Sequence, residues 1–252
     1  LNMVDLKDLK LNINTIPALK ILTANIPLEY VDKINQHIDD VVVPNNSSMA
    51  ASLVGQIKEN KKSAQLSIDL DSGFGLEFKN VLDSIATSYI QNGYDRLSQA
   101  KAFQCWSIHS YSGDYNPFHS HGVNTPAGVS CILYLKVPDC ISEKEDKKGI
   151  GPILNDASGD VDGFTQLIWG TNTRKEIYEL RGQEQDYVKP RVGLLVMFPN
   201  WLNHQVMPYF GEGERRTLSA NFDVFDSEEE KMKYMSKQEQ KLYNESKENS
   251  DR

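Results

Sequence analysis

Residues 193–221 read GLLVMFPNWLNHQVMPYFGEGERRTLSAN, and this stretch decides the fold class. An apolar run ends at Pro199, a Gly-containing turn follows, and a second run starts near Thr217. Short runs separated by Gly and Pro are typical of antiparallel strands in sandwiches and barrels. The stretch therefore predicts two strands of a mostly β domain, with a corner between them that presents His204.

The same pattern begins near residue 102. It predicts six strands, which are Phe103–Ser110, Val129–Val137, Gly163–Ile168, Glu176–Leu180, Leu194–Phe198 and Thr217–Phe225. A charged stretch with Gly and Pro, from Asp139 to Asp162, interrupts the strands. Long loops of this kind are usually functional or mobile, so it is either a lid over a site or a solvated insertion.

Helices are predicted on both sides of these strands. Apolar residues recur at three- and four-residue spacings in Ile26–Val43 and in Phe74–Asn92, and Gly93 fits a C-cap. After the last strand, Asp226 and Ser227 are N-cap candidates ahead of an acidic first turn. We therefore expect a mostly β protein with flanking helices.

Length and composition restrict the class of protein. The 252 residues suffice for one domain, divided into an N-terminal helical cover (1–101), a β core (102–225) and a charged C-terminal helix or tail (226–252). A net charge of -8 gives no electrostatic case for nucleic acid, and no apolar run approaches a membrane span. Three cysteines without CxxC spacing predict neither disulfides nor structural zinc. With no signal peptide evident, we predict a cytoplasmic protein.

Three of the five histidines form the most informative group: His119, His121 and His204. Two histidines one residue apart on a strand point to the same face. A third from a distant strand can complete one face of a coordination sphere and leave positions open for substrates. Although an isolated histidine is more often structural, the agreement of separate elements predicts a catalytic metal site.

Arg215 follows His204 by eleven residues. Alternation places four polar side chains on one face of the last strand, namely Arg215, Thr217, Ser219 and Asn221, with Arg216 facing outward. If a 2-oxo acid chelates the metal, its far carboxylate needs a partner, and a guanidinium offers a bidentate fork. The alternative is that both arginines pair with Glu212 and Glu214 in a surface turn.

These residues resemble the iron(II)- and 2-oxoglutarate-dependent oxygenases, particularly prolyl-hydroxylase-like members common in marine phages and bacteria. Three stretches carry the resemblance: Tyr111–Gly122, Val129–Pro138 (VSCILYLKVP) and residues 193–221. It implies a double-stranded β-helix, the cupin-like jelly roll, with helices packed on one sheet and the metal in the barrel mouth. It also implies a dioxygenase that uses Fe(II), 2-oxoglutarate and O2, releases succinate and CO2, and hydroxylates an inert C–H bond.

The resemblance implies roles for individual residues. His119 and His204 match the family's two histidine ligands, and Arg215 matches its co-substrate arginine. His121 stands where the family usually has Asp or Glu, so three neutral imidazoles would leave the metal its full charge. Asp114 is the alternative ligand, with His121 then outside the coordination sphere. The further candidates for co-substrate binding are Tyr111, Tyr134, Thr217 and Asn221.

Several questions about function stay open at this point. The substrate is a peptide, an amino acid or a small metabolite, and no nucleic acid or membrane partner is expected. Two other functions compete with the hydroxylase: a three-histidine metalloenzyme that does not use 2-oxoglutarate, and a non-catalytic jelly-roll binding protein. The C-terminal helix or an exposed barrel face could mediate a homodimer.

Overall fold

Ten strands and five helices occupy the residues that a computed structural model describes, which are 19–45, 64–144, 159–171 and 182–234. The strands are β1 (Leu22–Asn25), β2 (Ala64–Ser67), β3 (Gln99–Ser110), β4 (Asn116–His119), β5 (Ala127–Lys136), β6 (Thr165–Ile168), β7 (Gln185–Val188), β8 (Leu194–Pro199), β9 (Asn203–Val206) and β10 (Arg215–Phe225). The helices are α1 (Leu28–His37), α2 (Val43–Asn45), α3 (Gly73–Tyr94), α4 (Asp139–Ser142) and α5 (Glu228–Tyr234), with a π-helical segment at Ile38–Val42. No helix in these ranges has the length and apolar character needed to cross a membrane.

The strands form two antiparallel sheets. One has the order β1-β8-β5-β10-β3-β2 and the other β4-β9-β6-β7. Their facing sides share an apolar cluster that includes Ile132 and Val196 from the first sheet and Leu167 from the second. The predicted fold class, a mostly β double-stranded β-helix with flanking helices, is confirmed.

The long strand β10 has two unlike faces, because side chains alternate across a strand. Leu218, Ala220 and Phe222 lie in the main apolar core, where α1 and α3 cover the sheet. The helices contribute Val31, Ile34, Phe78 and Leu82 to that core. On the opposite face, Thr217 and Ser219 border a cavity between the two sheets. The covering helices thus pack on the far side of the sheet from the cavity.

The predicted helices differ from the observed ones at their ends. The helix predicted over Ile26–Val43 becomes α1, a π-helical segment and α2. Gly93 is not a C-cap, because α3 continues to Tyr94 and Asp95 takes the left-handed conformation, with φ of 52°. At α5, the Ser227 hydroxyl accepts a hydrogen bond from the Glu230 backbone N–H at 3.1 Å, as an N-cap does.

Five of the six predicted strands are found with shifted ends, and Glu176–Leu180 lies outside the described residues. The short helix α4 opens the loop predicted at Asp139–Asp162, and residues 145–158 of that loop also lie outside them. Sequence patterns missed five strands, β1, β2, β4, β7 and β9. Each has four residues, too few for a period of two to be recognised.

Alternation suggested that Arg216 faces outward, but it does not face solvent. It is buried on the helix side of the sheet, where its Nε donates to Glu214 Oε1 at 2.8 Å and its Nη2 donates to Asp39 Oδ1 at 2.7 Å. His109 Nδ1 lies 2.7 Å from the same Glu214 oxygen, and Lys136 also pairs with Glu214. This ion-pair cluster joins the π-helical segment to the start of β10.

Glu214 is expected to make a large contribution to stability. Burial raises the pKa of its carboxyl, but hydrogen bonds from His109 and Arg216 outweigh burial and lower this pKa to about 2. A carboxyl with a lowered folded-state pKa stabilises the fold above its ordinary value of 4.5, and this stabilisation is lost as pH falls toward about 2. Glu214→Gln should therefore lower the free energy of unfolding at pH 7 by about 2–3 kcal/mol in urea titrations.

The pH dependence and a nearby control distinguish this effect from general damage. The difference between wild type and Glu214→Gln should shrink as pH falls below about 4.5, where the wild-type carboxyl begins to take up protons. Glu212 lies on the exposed part of the same turn, so Glu212→Gln should change stability little. Equal losses for both variants, or a difference independent of pH, would contradict the role given to the cluster.

Candidate metal centre and adjoining cavity

Three imidazoles converge at one end of the four-stranded sheet. His119 ends β4 and lies opposite His204 of β9 in the strand register. His121 Nε2 lies 3.2 Å from His204 Nε2, and the ring centroids of His119 and His204 are 4.2 Å apart. One nitrogen from each residue falls within 4.8 Å of the other two. The three predicted histidines are therefore brought together.

The sequence did not reveal how His121 is positioned in this cluster. It lies beyond the end of β4, so strand alternation does not orient it. Its backbone N–H donates to Asn200 O at 3.0 Å, and Asn200 Nδ2 donates to its carbonyl at 3.0 Å. Asn200 closes the corner after β8 and thus positions His121, a role not visible from residue spacing.

Hydrogen bonds to backbone carbonyls orient two of the rings. His119 Nδ1 is 2.6 Å from Pro117 O, and His204 Nδ1 is 3.0 Å from Leu202 O. A carbonyl can only accept, so each Nδ1 carries a proton and donates it, which leaves Nε2 as the acceptor and potential metal ligand. Asn116 Nδ2 lies 3.3 Å from the Nε2 of His119. Burial lowers the pKa of His119, and burial with the neighbouring histidines lowers those of His121 to about 4 and His204 to about 3. All three rings are thus neutral at pH 7.

This donor set fits a divalent metal ion. Imidazole nitrogens bind such ions at about 2.1 Å, so two adjacent ligands of an octahedral ion lie about 3 Å apart. The 3.2 Å between the Nε2 atoms of His121 and His204 is close to that value. Neutral imidazoles suit iron, zinc, copper and nickel, and the geometry alone does not choose among them.

Asp114 does not join this cluster. Among the described residues, the group able to hold a metal contains only the three histidines. The Asp114 carboxylate instead accepts a hydrogen bond from the Tyr111 backbone N–H at 2.8 Å, within the turn between β3 and β4. The structure therefore does not support Asp114 as the alternative ligand, because a local turn holds its carboxylate.

Arg215 lies at the other side of the cavity. It is only 2% exposed, and its guanidinium lies over the Tyr134 ring, 5.3 Å from the centroid. Its Nη2 donates to the Thr165 hydroxyl at 3.3 Å, and its Nε has no partner among the described residues. No ion pair to Arg215 is found within the described ranges. Burial lowers the pKa of Arg215, yet an arginine side chain stays protonated at neutral pH.

A cavity of about 340 Å³ joins the histidines to Arg215. Thr217 and Asn221, both predicted as co-substrate contacts, line it together with Arg215, on the strand face that alternation indicated. Tyr134 stands beside Arg215, and its hydroxyl hydrogen-bonds Thr165 at 2.7 Å. Sequence reasoning missed Thr165, which contacts both Arg215 and Tyr134 but belongs to a four-residue strand.

Two of the predicted co-substrate contacts are not adjacent to Arg215. Tyr111 is absent from the cavity lining. Burial raises the pKa of its hydroxyl, and the charges of Glu214 and Arg216 in the ion-pair cluster also affect this pKa. Asn221 lies six residues along β10 from Arg215, or about 20 Å at the rise of a strand. Its amide bonds to Ser130 and Gln104. Asn221 therefore belongs to the opposite end of the cavity.

Fold and cluster together define a double-stranded β-helix protein with a candidate metal centre between its sheets. The family model described as "Putative 2OG-Fe(II) oxygenase" matches residues 104–221. The matched span holds the three histidines and Arg215, and the family that it matches consists of oxidoreductases that use iron and 2-oxoglutarate. The predicted family, enzyme class and cofactors are confirmed. A comparison with curated proteins found no match.

Three solved structures of similar proteins illustrate the likeness. A prolyl-4-hydroxylase from Pseudomonas putida is 16% identical, with 81% of this chain and 91% of that chain covered and a TM-score of 0.47. HygX from Streptomyces hygroscopicus, solved with nickel and 2-oxoglutarate, is 10% identical, with 81% and 83% covered and a TM-score of 0.48. SnoK, a non-heme alpha-ketoglutarate-dependent carbocyclase from nogalamycin biosynthesis, is 8% identical, with 82% and 81% covered and a TM-score of 0.54. The likeness to SnoK indicates a shared fold.

Proposed function

We propose that His119, His121 and His204 hold Fe(II), that Arg215 binds 2-oxoglutarate, and that the protein hydroxylates a small-molecule or peptide substrate with release of succinate and CO2. The observation that carries this proposal is the buried guanidinium of Arg215, which has no carboxylate partner in the described part of the chain. A cytoplasmic location, in a cell or an infected host, and a homodimer stay predictions.

The surroundings of Arg215 favour the binding of an anion. A buried charge is costly unless it is paired, and the hydroxyl of Thr165 and the ring of Tyr134 neutralise none of it. The unpartnered Nε leaves one edge of the guanidinium free to donate, as a bidentate carboxylate requires. A dicarboxylate that spans the cavity would place one carboxylate at Arg215 and its 2-oxo acid end at the histidines.

The charge of the histidine cluster favours the same ligand. Three neutral imidazoles take nothing from the 2+ charge of the metal, whereas an aspartate in place of His121 would reduce the net charge to 1+. A dianionic co-substrate is therefore attracted more strongly than at a site with a carboxylate ligand. When bound, the metal supplies the site at which 2-oxoglutarate chelates and O2 reacts. The carbonyls of Pro117 and Leu202 hold His119 and His204 in the ligand tautomer.

Anaerobic reconstitution with Fe(II), followed by addition of 2-oxoglutarate, tests the proposal directly. Chelation of a 2-oxo acid by Fe(II) gives a weak visible metal-to-ligand charge-transfer band, which we expect here at one equivalent of each. Succinate should chelate no iron in this way and serves as the control ligand. Stoichiometric Fe(II) without a band would contradict the role of 2-oxoglutarate and favour a three-histidine metalloenzyme that does not use it.

A further inference from the structure

Side-chain amides line the cavity, with two at the end away from Arg215 and one on the edge strand. Gln104 of β3 and Asn221 of β10 face each other across paired strands, and Gln65 faces the cavity from the edge strand β2. These three residues have no role in the proposed function. Their neutral groups offer both hydrogen-bond donors and acceptors, whereas the guanidinium of Arg215 only donates.

Two of the amides belong to one hydrogen-bonded chain. The Ser130 hydroxyl donates to Asn221 Oδ1 at 2.9 Å, and Asn221 Nδ2 donates to Gln104 Oε1 at 3.2 Å. The chain holds the Gln104 carboxamide in one orientation and leaves its amino group available to donate. Ser130 and Asn221 thus act as supports, and Gln104 is the member with free hydrogen-bonding capacity.

Gln65 is the more unusual residue. It is 6% exposed and borders the cavity, yet no hydrogen bond to its side chain is found in the described part of the chain. The Gln65 amide atoms are not among the fully buried atoms without a partner, so they open onto the cavity. A carboxamide open to the cavity in this way is suited to a ligand that both donates to it and accepts from it.

Strand register places the indole of Trp106 between these two glutamines. Gln65 lies opposite Ile108, four residues along β3 from Gln104, so the two positions are about 14 Å apart along the strand. Trp106 lies midway, faces the cavity and contacts His121, with ring centroids 5.6 Å apart. A ligand lying on the indole beside the histidines could reach an amide on each side.

The charges of the lining restrict the chemistry of such a ligand. Among the described residues that line the cavity, Arg215 alone carries a formal charge when the histidines are neutral. Because the proposed function assigns Arg215 to 2-oxoglutarate, a zwitterion or an anion beside the glutamines would lose its hydration without an ionic partner. Neutral carboxamides, by contrast, pair well with glutamine and asparagine side chains.

We propose that Gln65 and Gln104 bind a neutral carboxamide-bearing segment of the substrate, laid across Trp106 next to the histidine cluster. This inference rests on the proposed function, because the position of the substrate is defined relative to the metal and 2-oxoglutarate. Both peptide backbone amides and small-molecule amides have this chemistry. Free amino acids, which the sequence left open as substrates, are zwitterions, and apart from asparagine and glutamine they have no carboxamide.

Ligand-observed saturation-transfer NMR tests the inference on the full chain, with and without Ni(II) and 2-oxoglutarate. The probes are pooled neutral tripeptides with acetyl and amide ends, the same peptides with free ends, and propionamide. The capped peptides should bind at least about tenfold more tightly than the free ones. Equal or tighter binding of propionamide would identify a small-molecule amide as the source of the same chemistry. No binding of any neutral amide, or equal binding of the zwitterions, would overturn the inference.

Substitutions then locate the binding. Gln65→Leu and Gln104→Leu should each weaken binding of the neutral amide by about tenfold. Gln99→Leu, on the exposed end of the same strand β3, should leave it unchanged. Gln104→Glu keeps the size of the side chain and should also weaken binding, which covers the case that the leucine variant does not fold. Wild-type affinity in folded Gln65→Leu and Gln104→Glu would contradict the inference.

A separate readout distinguishes failure of this inference from failure of the proposed function. The charge-transfer band of bound 2-oxoglutarate should persist in the Gln65 and Gln104 variants, because neither side chain hydrogen-bonds Arg215 or the histidine cluster in the described part of the chain. Amide binding that depends on the glutamines in a protein without the band would uphold the amide site and refute the 2-oxoglutarate assignment. A band without such amide binding would uphold the 2-oxoglutarate assignment and refute the amide site.

Discussion

Replacement of His204 by alanine is expected to abolish stoichiometric binding of Fe(II) or Co(II). His204 is the most buried of the three imidazoles, 2% exposed, and the β4–β9 register sets it against His119. Its loss leaves two ligands, one of which lies outside a strand. We expect the dissociation constant for Co(II) to rise by about 100-fold or more, since even residues that only orient a ligand contribute 10- to 100-fold. Anaerobic titration followed by the visible absorption of Co(II) measures this directly.

Two substitutions serve as controls for the His204 result. His37→Ala removes a histidine of α1 that lies outside the cluster, and it should leave Co(II) binding unchanged. His121→Asp introduces the carboxylate that the family usually has at this position, and it should retain the metal while weakening 2-oxoglutarate binding through the lower charge. Normal Co(II) affinity in His204→Ala would show that the cluster is not the metal site.

Replacement of Arg215 by alanine is expected to remove 2-oxoglutarate binding while the metal stays bound. Arg215 is the buried cation of the cavity, and charge-assisted hydrogen bonds to a carboxylate contribute about 1.5–3 kcal/mol each. A bidentate contact therefore predicts an increase of about 100-fold or more in the dissociation constant for 2-oxoglutarate. Titration of the charge-transfer band gives that constant, and Co(II) absorption gives the metal content of the same sample.

The assignment of Arg215 to 2-oxoglutarate holds only if Arg215→Ala loses 2-oxoglutarate binding and keeps the metal. Arg191 is an exposed arginine, so Arg191→Ala should keep both metal and 2-oxoglutarate affinities. Arg215→Lys retains the charge without the planar fork and should fall between wild type and the alanine variant. Loss of metal together with 2-oxoglutarate in Arg215→Ala would indicate a general structural effect instead of a lost carboxylate partner.

Much of the candidate site could be predicted from local patterns. Alternation along one long strand sufficed to place Arg215, Thr217 and Asn221 on the cavity side, because β10 is continuous from Arg215 to Phe225. The grouping of His119 and His204 in one metal site was also predicted, but the strands β4 and β9 that pair them were not. Alternation also set Arg216 on the opposite face, but its burial beneath a helical segment depends on Asp39, far away in the chain.

Other features depend on contacts between distant parts of the chain, and short-range periodicity contains no information about them. Asn200 orients His121 through two hydrogen bonds, although 79 residues separate them. Gln65 reaches the cavity only because a four-residue edge strand pairs with β3. Asp114 could have been a ligand by its spacing, yet the turn that ends β3 holds its carboxylate.

The amino-acid sequence by itself thus determined the class of fold, the three histidines and the inward arginine, since each depends on a period of two within single strands or on residue chemistry. Only the tertiary structure decided which side chains complete the site. It left Arg215 without a counter-ion among the described residues, removed Tyr111 and Asp114 from the cavity, and set Gln65 and Gln104 on either side of Trp106. The physical reason is that pairing between strands and burial between sheets are set by the whole chain, whereas alternation is set by neighbouring residues.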